Sequence, residues 1–230
     1  MRKTVLVTGG SRGIGRAICE NLSPDYHLLV GGRNEQAVAE VVASLESAEP
    51  WIVDITDEEA VREASSKIDT LDALVLSAGI AFNKSIGEAT RADWERMLGV
   101  NVVAQASLTS HLLPALRKAR GQVVAINSGS GFHSGPGGGL YSASKFALRA
   151  FTDALREEER GVVRVSSVHP GRVDTDMQVD IQTQAGREYH PEDHLRPSSI
   201  AKAVRLALDA SEEATVEVIS VRPVNSKVSS

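Results

Sequence analysis

The chain of 230 residues has only three tyrosines, and the segment YSASK sets one of them, Tyr141, four residues ahead of Lys145. On a helix, residues i and i+4 lie one above the other on the same face, so a phenol and an ammonium group would share one small volume. A free phenol has a pKa near ~10 and is a poor proton donor or acceptor at neutral pH, whereas a nearby ammonium favours the phenolate and lowers that value. Ser128, in AINSGSG, precedes Tyr141 by a short glycine-rich connection. A hydroxyl and a phenol meeting on one substrate oxygen can hold a carbonyl and exchange a proton with it. Each residue alone has an ordinary reading: a loop serine, a helix-start aromatic, a surface charge. Only their convergence makes a site.

Convergence depends on the elements that carry them. Runs rich in Val and Ile, apolar at consecutive positions, fall at 3–8, 26–31, 50–54, 72–77, 122–127, 163–169 and 215–221. Such runs suit strands buried on both faces of a parallel sheet. Amphipathic helical patterns lie between them, near 13–22, 34–46, 57–68, 91–118, 140–159 and 197–210. Strand and helix alternating in this way predict an α/β doubly wound parallel sheet, and the length allows a single domain over 1–230. Ligands of such sheets bind outside the carboxyl ends of the strands, which is where Ser128 and Tyr141 are expected. The polar stretch 176–196 has no clear periodicity and reads as a substrate loop, a candidate lid.

The first strand runs directly into TGGSRGIG, Thr8 to Gly15, at the mouth of the first helix. Glycines there allow a tight turn, close approach of backbone to a pyrophosphate and close helix packing, with the helix N-terminus facing the phosphate charge. The spacing of Gly9, Gly13 and Gly15 is G-x-x-x-G-x-G, and no Gly-Lys-Ser/Thr follows, which excludes a Walker loop. An acidic residue at the end of the second strand would bind the ribose 2′-hydroxyl of NAD. This chain has Gly32 there, followed by Arg33, with Arg12 inside the turn. Two guanidiniums can converge on a 2′-phosphate, which favours NADP (NADPH) over NAD. Two alternatives stay open: solvated arginines, and Glu35 reaching the ribose. In the 91–118 helix, Asn101 falls on the apolar stripe of Trp94, Leu98, Val102, Leu108, Leu112 and Leu116, so it either caps a local backbone defect or orders a polar site.

Composition narrows the rest. A net charge of −5 with scattered Lys and Arg argues against nucleic acid and against an anionic membrane surface. The lone Cys19 permits no internal disulfide and suits a reducing, cytoplasmic home, as a small buried hydrophobe. The apolar run of MRKTVLVTGG is broken by glycines short of the ~7–15 residues that a signal peptide needs, and no stretch approaches a membrane span. His190 and His194 in HPEDH are four apart, but a proline intervenes and no third ligand is at hand, so no metal site is expected. REEER, 156–160, reads as the solvated end of a helix.

Together the motifs resemble the classical short-chain dehydrogenase/reductase family over nearly the whole chain. TGGSRGIG matches its TGxxxGxG turn, YSASK its YxxxK element, HPGRVDT its PGxVxT, and Ser128 and Tyr141 stand thirteen apart as in the family. The resemblance implies a Rossmann-like three-layer sandwich with seven parallel strands. It implies an oxidoreductase passing hydride between a nicotinamide cofactor and a small-molecule carbonyl or secondary alcohol. Tyr141 would be the general acid/base, Ser128 would orient the substrate oxygen, and Lys145 would hold the nicotinamide ribose and depress the tyrosine pKa. Asn101 would support a proton-relay water. Gly9, Ser11, Arg12, Gly13, Ile14 and Gly15 would line the phosphates and Arg33 the 2′-phosphate, with Asp54 and Ile55 by the adenine and Ala78 and Gly79 close to the cofactor. Pro170, Gly171, Val173 and Thr175 would meet the nicotinamide amide. The family also suggests a homodimer or homotetramer. Leu76 and Ser77 replace its usual Asn-Asn, removing amides that brace the sheet edge. Two readings compete with the reductase: a catalytically silent nucleotide-sensing protein and a nonredox lyase on the same scaffold.

Overall fold

Side chains on a strand alternate between the two faces of its sheet, and in β1 (Lys3–Val7) this alternation divides the interior in two. Val5 and Val7 enter a core built with α1 (Gly13–Leu22), α2 (Glu35–Ala43) and α8 (Pro197–Leu208). Leu6 enters the other, which holds residues of α3 (Glu58–Ser66), α5 (Ala104–Ala119) and α6 (Gly139–Glu158). β4 (Ala73–Leu76) and β5 (Gln122–Ile126) divide in the same way: Val75 and Val124 face the first core, Leu74 and Val123 the second. Helices therefore cover both faces, as the continuous apolar runs require.

This computed structural model describes residues 2–184 and 186–224. Its sheet has seven strands in the order β3-β2-β1-β4-β5-β6-β7, every pair parallel, with β2 at Tyr26–Gly32, β3 at Ala48–Ile52, β6 at Arg164–Pro170 and β7 at Val218–Val221. The chain winds outward from β1 to β3, returns to β4, then winds the other way. Between the carboxyl ends of β1 and β4 this reversal opens a crevice. No helix among the described residues is long and apolar enough to cross a membrane.

Four expectations need correction. β3 begins two residues earlier than the apolar run, because its pairing with β2 sets Ala48 opposite Leu28. The run at 91–118 is not one helix: α4 (Arg91–Leu98), closed by a Thr90–Asp93 capping box, passes through a π-helical turn at Gly99–Val103 into α5. The segment 176–196 contains α7 (Asp176–Gln184) and a 3₁₀ turn at Pro191–Asp193, with Ala185 outside the described residues. Met177, Val179 and Ile181 recur every second residue, so α7 gives no helical stripe. REEER is not all solvated either: Arg156 and Glu159 are buried. Arg156 donates to the carbonyls of Val165 and Glu217 and pairs with Asp153, and Glu159 takes the guanidinium of Arg117. Charges stay inside because each has its partners.

Candidate active site

The reversal of the sheet brings the glycine turn against the end of β4. Gly9 is in the left-handed region at φ 65°, and a Cβ there would lie 3.0 Å from the Cα of Ala78. A Cβ on Gly15 would lie 2.1 Å from the carbonyl oxygen of Gly9, so no side chain fits where the helix closes on the turn. Ser11 lies beside Gly32, Ile14 packs partly buried on the first core, and Gly13 (φ 53°) faces the methyl of Thr175. α2, α3 and α4 each have a side chain from Asn34, Asp57 or Thr90 accepting a first-turn amide; α1 has no such cap and no acid in its first turn. Its first-turn amides and partial positive charge therefore face the glycine turn without a side-chain acceptor among the described residues.

Around the rim, Arg12 and Arg33 are both exposed, and Arg33 donates to Asp54 at 3.3 Å. Burial pulls the Asp54 carboxyl upward, but the Thr56 amide and hydroxyl together with Arg33 hold it below the usual range. Ile55 packs partly buried against the second core. Pro170 ends β6, and the amide of Gly171 donates to Val221 at 2.7 Å. Val173 is buried and bridges Leu195, tying the PGxVxT stretch to the segment after α7, while Thr175 accepts the Gln178 amide at the start of α7.

Deeper in, Tyr141 stands in the first turn of α6 with Lys145 one turn on, its Nζ 5.7 Å from the phenol ring centroid. Lys145 is 5% exposed and donates to the carbonyl of Ile126 at 3.0 Å, and burial pushes its pKa down to about 8. The phenol is not depressed as the sequence suggested. Burial raises it, and the Ser128 hydroxyl beside it only partly opposes the rise. Desolvation disfavours both charged forms here, and the ammonium is turned toward a backbone carbonyl rather than the phenolic oxygen.

Asn101 is fully buried in the π-helical turn. Its Oδ1 accepts the Ile80 amide at 2.8 Å, and its Nδ2 donates to the Ile80 carbonyl at 2.9 Å and to Ser144 Oγ at 3.0 Å. It thus occupies a backbone defect and ties the Ile80 loop to Ser144 on α6. Gly79 lies against it, where a Cβ would sit 3.2 Å from Oδ1.

A model of the short chain dehydrogenase family matches residues 3–186. The chain belongs to this family. An uncharacterized oxidoreductase of Staphylococcus saprophyticus is 35% identical to it, over 96% of this chain and 97% of that one. Among solved structures, an alcohol dehydrogenase from Thermococcus sibiricus complexed with 5-hydroxy-NADP is similar at a TM-score of 0.89 and 28% identity, covering 97% of both chains. The structure described as ElxO with NADP bound is similar at 0.86 and 26%, over 97% of this chain and 98% of that one. As a family member the protein is a nicotinamide-dependent oxidoreductase acting on CH–OH-type substrates. The glycine cradle and the uncapped α1 fit such a dinucleotide.

Three supports in this short-chain dehydrogenase escaped the sequence reading. Thr8 Oγ1 accepts the amides of both Ser77 and Ala78 at 3.0 Å, and Gln105 donates to the Ala78 carbonyl, so hydroxyl and glutamine brace the edge that lacks the Asn-Asn amides. His169, fully buried, bridges the Ser128 carbonyl (3.0 Å from Nδ1) and the Ser167 hydroxyl (2.9 Å from Nε2). A carbonyl can only accept, so Nδ1 carries the proton. Burial lowers this imidazole's pKa. Thr8 and His169 stood inside motifs already quoted; Gln105 gave no signal beyond a polar residue on a buried helix.

Elsewhere, Cys19 is buried and its thiol is pushed up to about 12, chiefly by burial. No cluster of metal ligands occurs among the described residues, and His194 Nδ1 turns back to the His190 carbonyl. A cavity of about 590 Å³, larger than the cleft beside the Ser128 turn, opens at the opposite edge of the sheet, by Lys3, Ala73, Gln122 and Arg164. Those residues begin their strands, so it lies away from the chemistry.

Thr8→Val keeps the shape and removes the shared acceptor. Its urea midpoint should fall by an amount equivalent to about 1–3 kcal/mol; an unshifted midpoint would show that these two amides do not need the hydroxyl.

Proposed function

We propose that the protein is an NADP-dependent carbonyl reductase, working also as the dehydrogenase of the corresponding secondary alcohol, with 176–196 as the segment that covers the substrate. The observation that carries this reading is the juxtaposition of Ser128, Tyr141 and Lys145 at the carboxyl edge of the sheet. The bound nicotinamide supplies or takes up the hydride. Ser128 holds the substrate oxygen, and Tyr141 keeps a proton on its phenolic oxygen and delivers it there as the carbonyl becomes an alcohol. A raised phenol pKa keeps that proton in place through neutral pH. Lys145 positions the cofactor ribose and offsets the negative charge left on the phenol. Asn101 holds the loop at Ile80 and the α6 turn at Ser144 in register, and supports the relay that returns a proton to Tyr141.

NADP is preferred on the chemistry of the second strand end. A side chain at Gly32 would put its Cβ 2.7 Å from Val38 Cγ2, so the acid that would select NAD has no room. Arg12, at the mouth of α1, has no ion-pair partner among the described residues, and the exposed Arg33–Asp54 pair is of a kind worth ~0–1 kcal/mol, weak enough to yield to a phosphate. The NADP named for both solved neighbours supports the same choice. Exposed Val103 and Phe146 support self-association as a homodimer or homotetramer.

Tyr141→Phe should bind NADPH as the parent does and lose about a hundredfold or more in kcat; undiminished turnover against a carbonyl panel would remove the tyrosine from the mechanism. The reduction kcat/KM, which reports free-enzyme groups, should be level below pH about 8 and fall above it as Lys145 loses its proton. A profile rising through that range would contradict the assigned role. Replacing Arg12 and Arg33 together by alanine should weaken NADPH at least tenfold more than NADH in a fluorescence titration, and equal losses would point to a cofactor without the 2′-phosphate.

A further inference from the structure

A cleft of about 320 Å³ lies between α7, the glycine-rich loop before α6 and Asn83. It adjoins the proposed chemistry. Ser130, on its wall, donates its amide to Ser128 Oγ at 3.1 Å, and Ser142, also on its wall, follows Tyr141. The volume sits near the lower end for ligand pockets, ~300–1,000 Å³, and such pockets are usually apolar with a few polar groups. Here polar side chains outnumber apolar ones. Asn83, Ser130, His133, Ser142, Gln182 and Arg187 line it, Pro136 and Ile181 are the apolar side chains, and no acidic side chain is present.

Two of these residues are incompletely matched within the protein. Gln182 is 7% exposed, and its side-chain amide has no hydrogen-bond partner among the described residues. Its N–H and carbonyl groups are therefore free to bond a polar ligand in the cleft. Arg187 is exposed and has no acidic partner among the described residues. By contrast Lys84, whose backbone amide ties this rim to the Gly137 carbonyl, is neutralised by Asp93 at 2.8 Å. The cleft therefore presents an exposed planar cation without an acidic partner among the described residues, a histidine and four neutral hydrogen-bonding side chains. A guanidinium pairs with a carboxylate through two parallel hydrogen bonds, which a neutral ester cannot reproduce.

Building on the reductase reading, we infer that the substrate is a short oxo acid, reduced to its hydroxy acid, with its carboxylate held by Arg187 and Gln182 in this cleft. Hydride from the reduced nicotinamide forms the new C–H bond at the carbonyl carbon, and the Tyr141 proton forms the O–H bond. The carboxylate stays ionised and unchanged. An acid-free wall also disfavours amine-bearing substrates without a carboxylate, because no group there balances an ammonium charge.

The test compares the full-length protein with NADPH on acetoacetate and pyruvate, on their methyl esters, and on a panel of neutral ketones and aldehydes. The acids should exceed their esters at least tenfold in kcat/KM. Arg187→Met should cut that acid-to-ester preference at least tenfold, through the KM of the acid, and Arg187→Lys should recover part of it. Gln182→Glu, nearly isosteric, sets a carboxylate in the cleft and should raise the acid KM more than the ester KM. Esters or neutral carbonyls turned over as well as the acids, or a preference unmoved by both Arg187→Met and Gln182→Glu, would overturn the carboxylate assignment while leaving the reductase in place. No turnover of any carbonyl would instead overturn the reductase reading and this inference with it.

Discussion

One buried side-chain amide holds together the parts that have to meet. Asn101 accepts from and donates to the backbone of Ile80, just past the end of β4, and donates to Ser144, immediately before Lys145 on α6. Sheet edge, helix and π-helical turn are thereby fixed to one another through a group that has no solvent to fall back on. In such surroundings a satisfied amide is worth keeping and an unsatisfied one is expensive. The glycine turn depends on the same edge, since Gly9 presses on Ala78 and Thr8 holds the Ser77 and Ala78 amides. Disturbance of the β4 end would reach both the dinucleotide cradle and the tyrosine.

The electrostatics of the tyrosine–lysine pair follow from its depth. Burial works against charge on either partner, so in the protein alone the phenol is raised and the ammonium lowered. That is the opposite of a permanently ionised pair. At neutral pH the phenol therefore keeps its proton while the ammonium, lowered only to about 8, is still charged, so the pair holds one positive charge and a proton ready to move. The Ile126 carbonyl at the end of β5 accepts the Lys145 ammonium and ties α6 to the sheet edge. His169 acts on the other side, fixing the Ser128 carbonyl and so the turn that presents the serine hydroxyl.

Most of the architecture was legible because burial on both faces leaves a plain signature. Val5, Leu6 and Val7 are all apolar since alternate residues enter different cores, and the same is true of β4 and β5. The doubly wound parallel sheet followed from that signature, and the expectation that Ser128, Tyr141 and Lys145 share its carboxyl edge came from the spacing of the motifs; the order of the strands is given by the structure. What could not be read depended on contacts between segments distant in sequence. Nothing local distinguishes a helix with a π-helical turn from a straight one, and the polar pattern of REEER does not reveal Arg117 or the Val165 carbonyl waiting for its charges. The tyrosine pKa was misjudged for the same reason: proximity of a cation is visible in a sequence, and depth is not. Gln105 was invisible because its partner is a backbone carbonyl 27 residues away.

The π-helical turn is itself the product of one surplus residue. A helix that runs through such a turn carries one more residue than an unbroken α-helix between the same two end points. α4 and α5 can therefore keep their own faces on the core whether or not the bulge is present. Asn101 thus stands on a part of the chain whose length is separable from the packing that surrounds it. Gain or loss of a single codon in 99–103 would add or erase the bulge as a unit, with the stripe of Leu108, Leu112 and Leu116 still seated against the sheet. In lineages that share this scaffold, the asparagine's station is open to change by one insertion or deletion, a far shorter route than rebuilding a core.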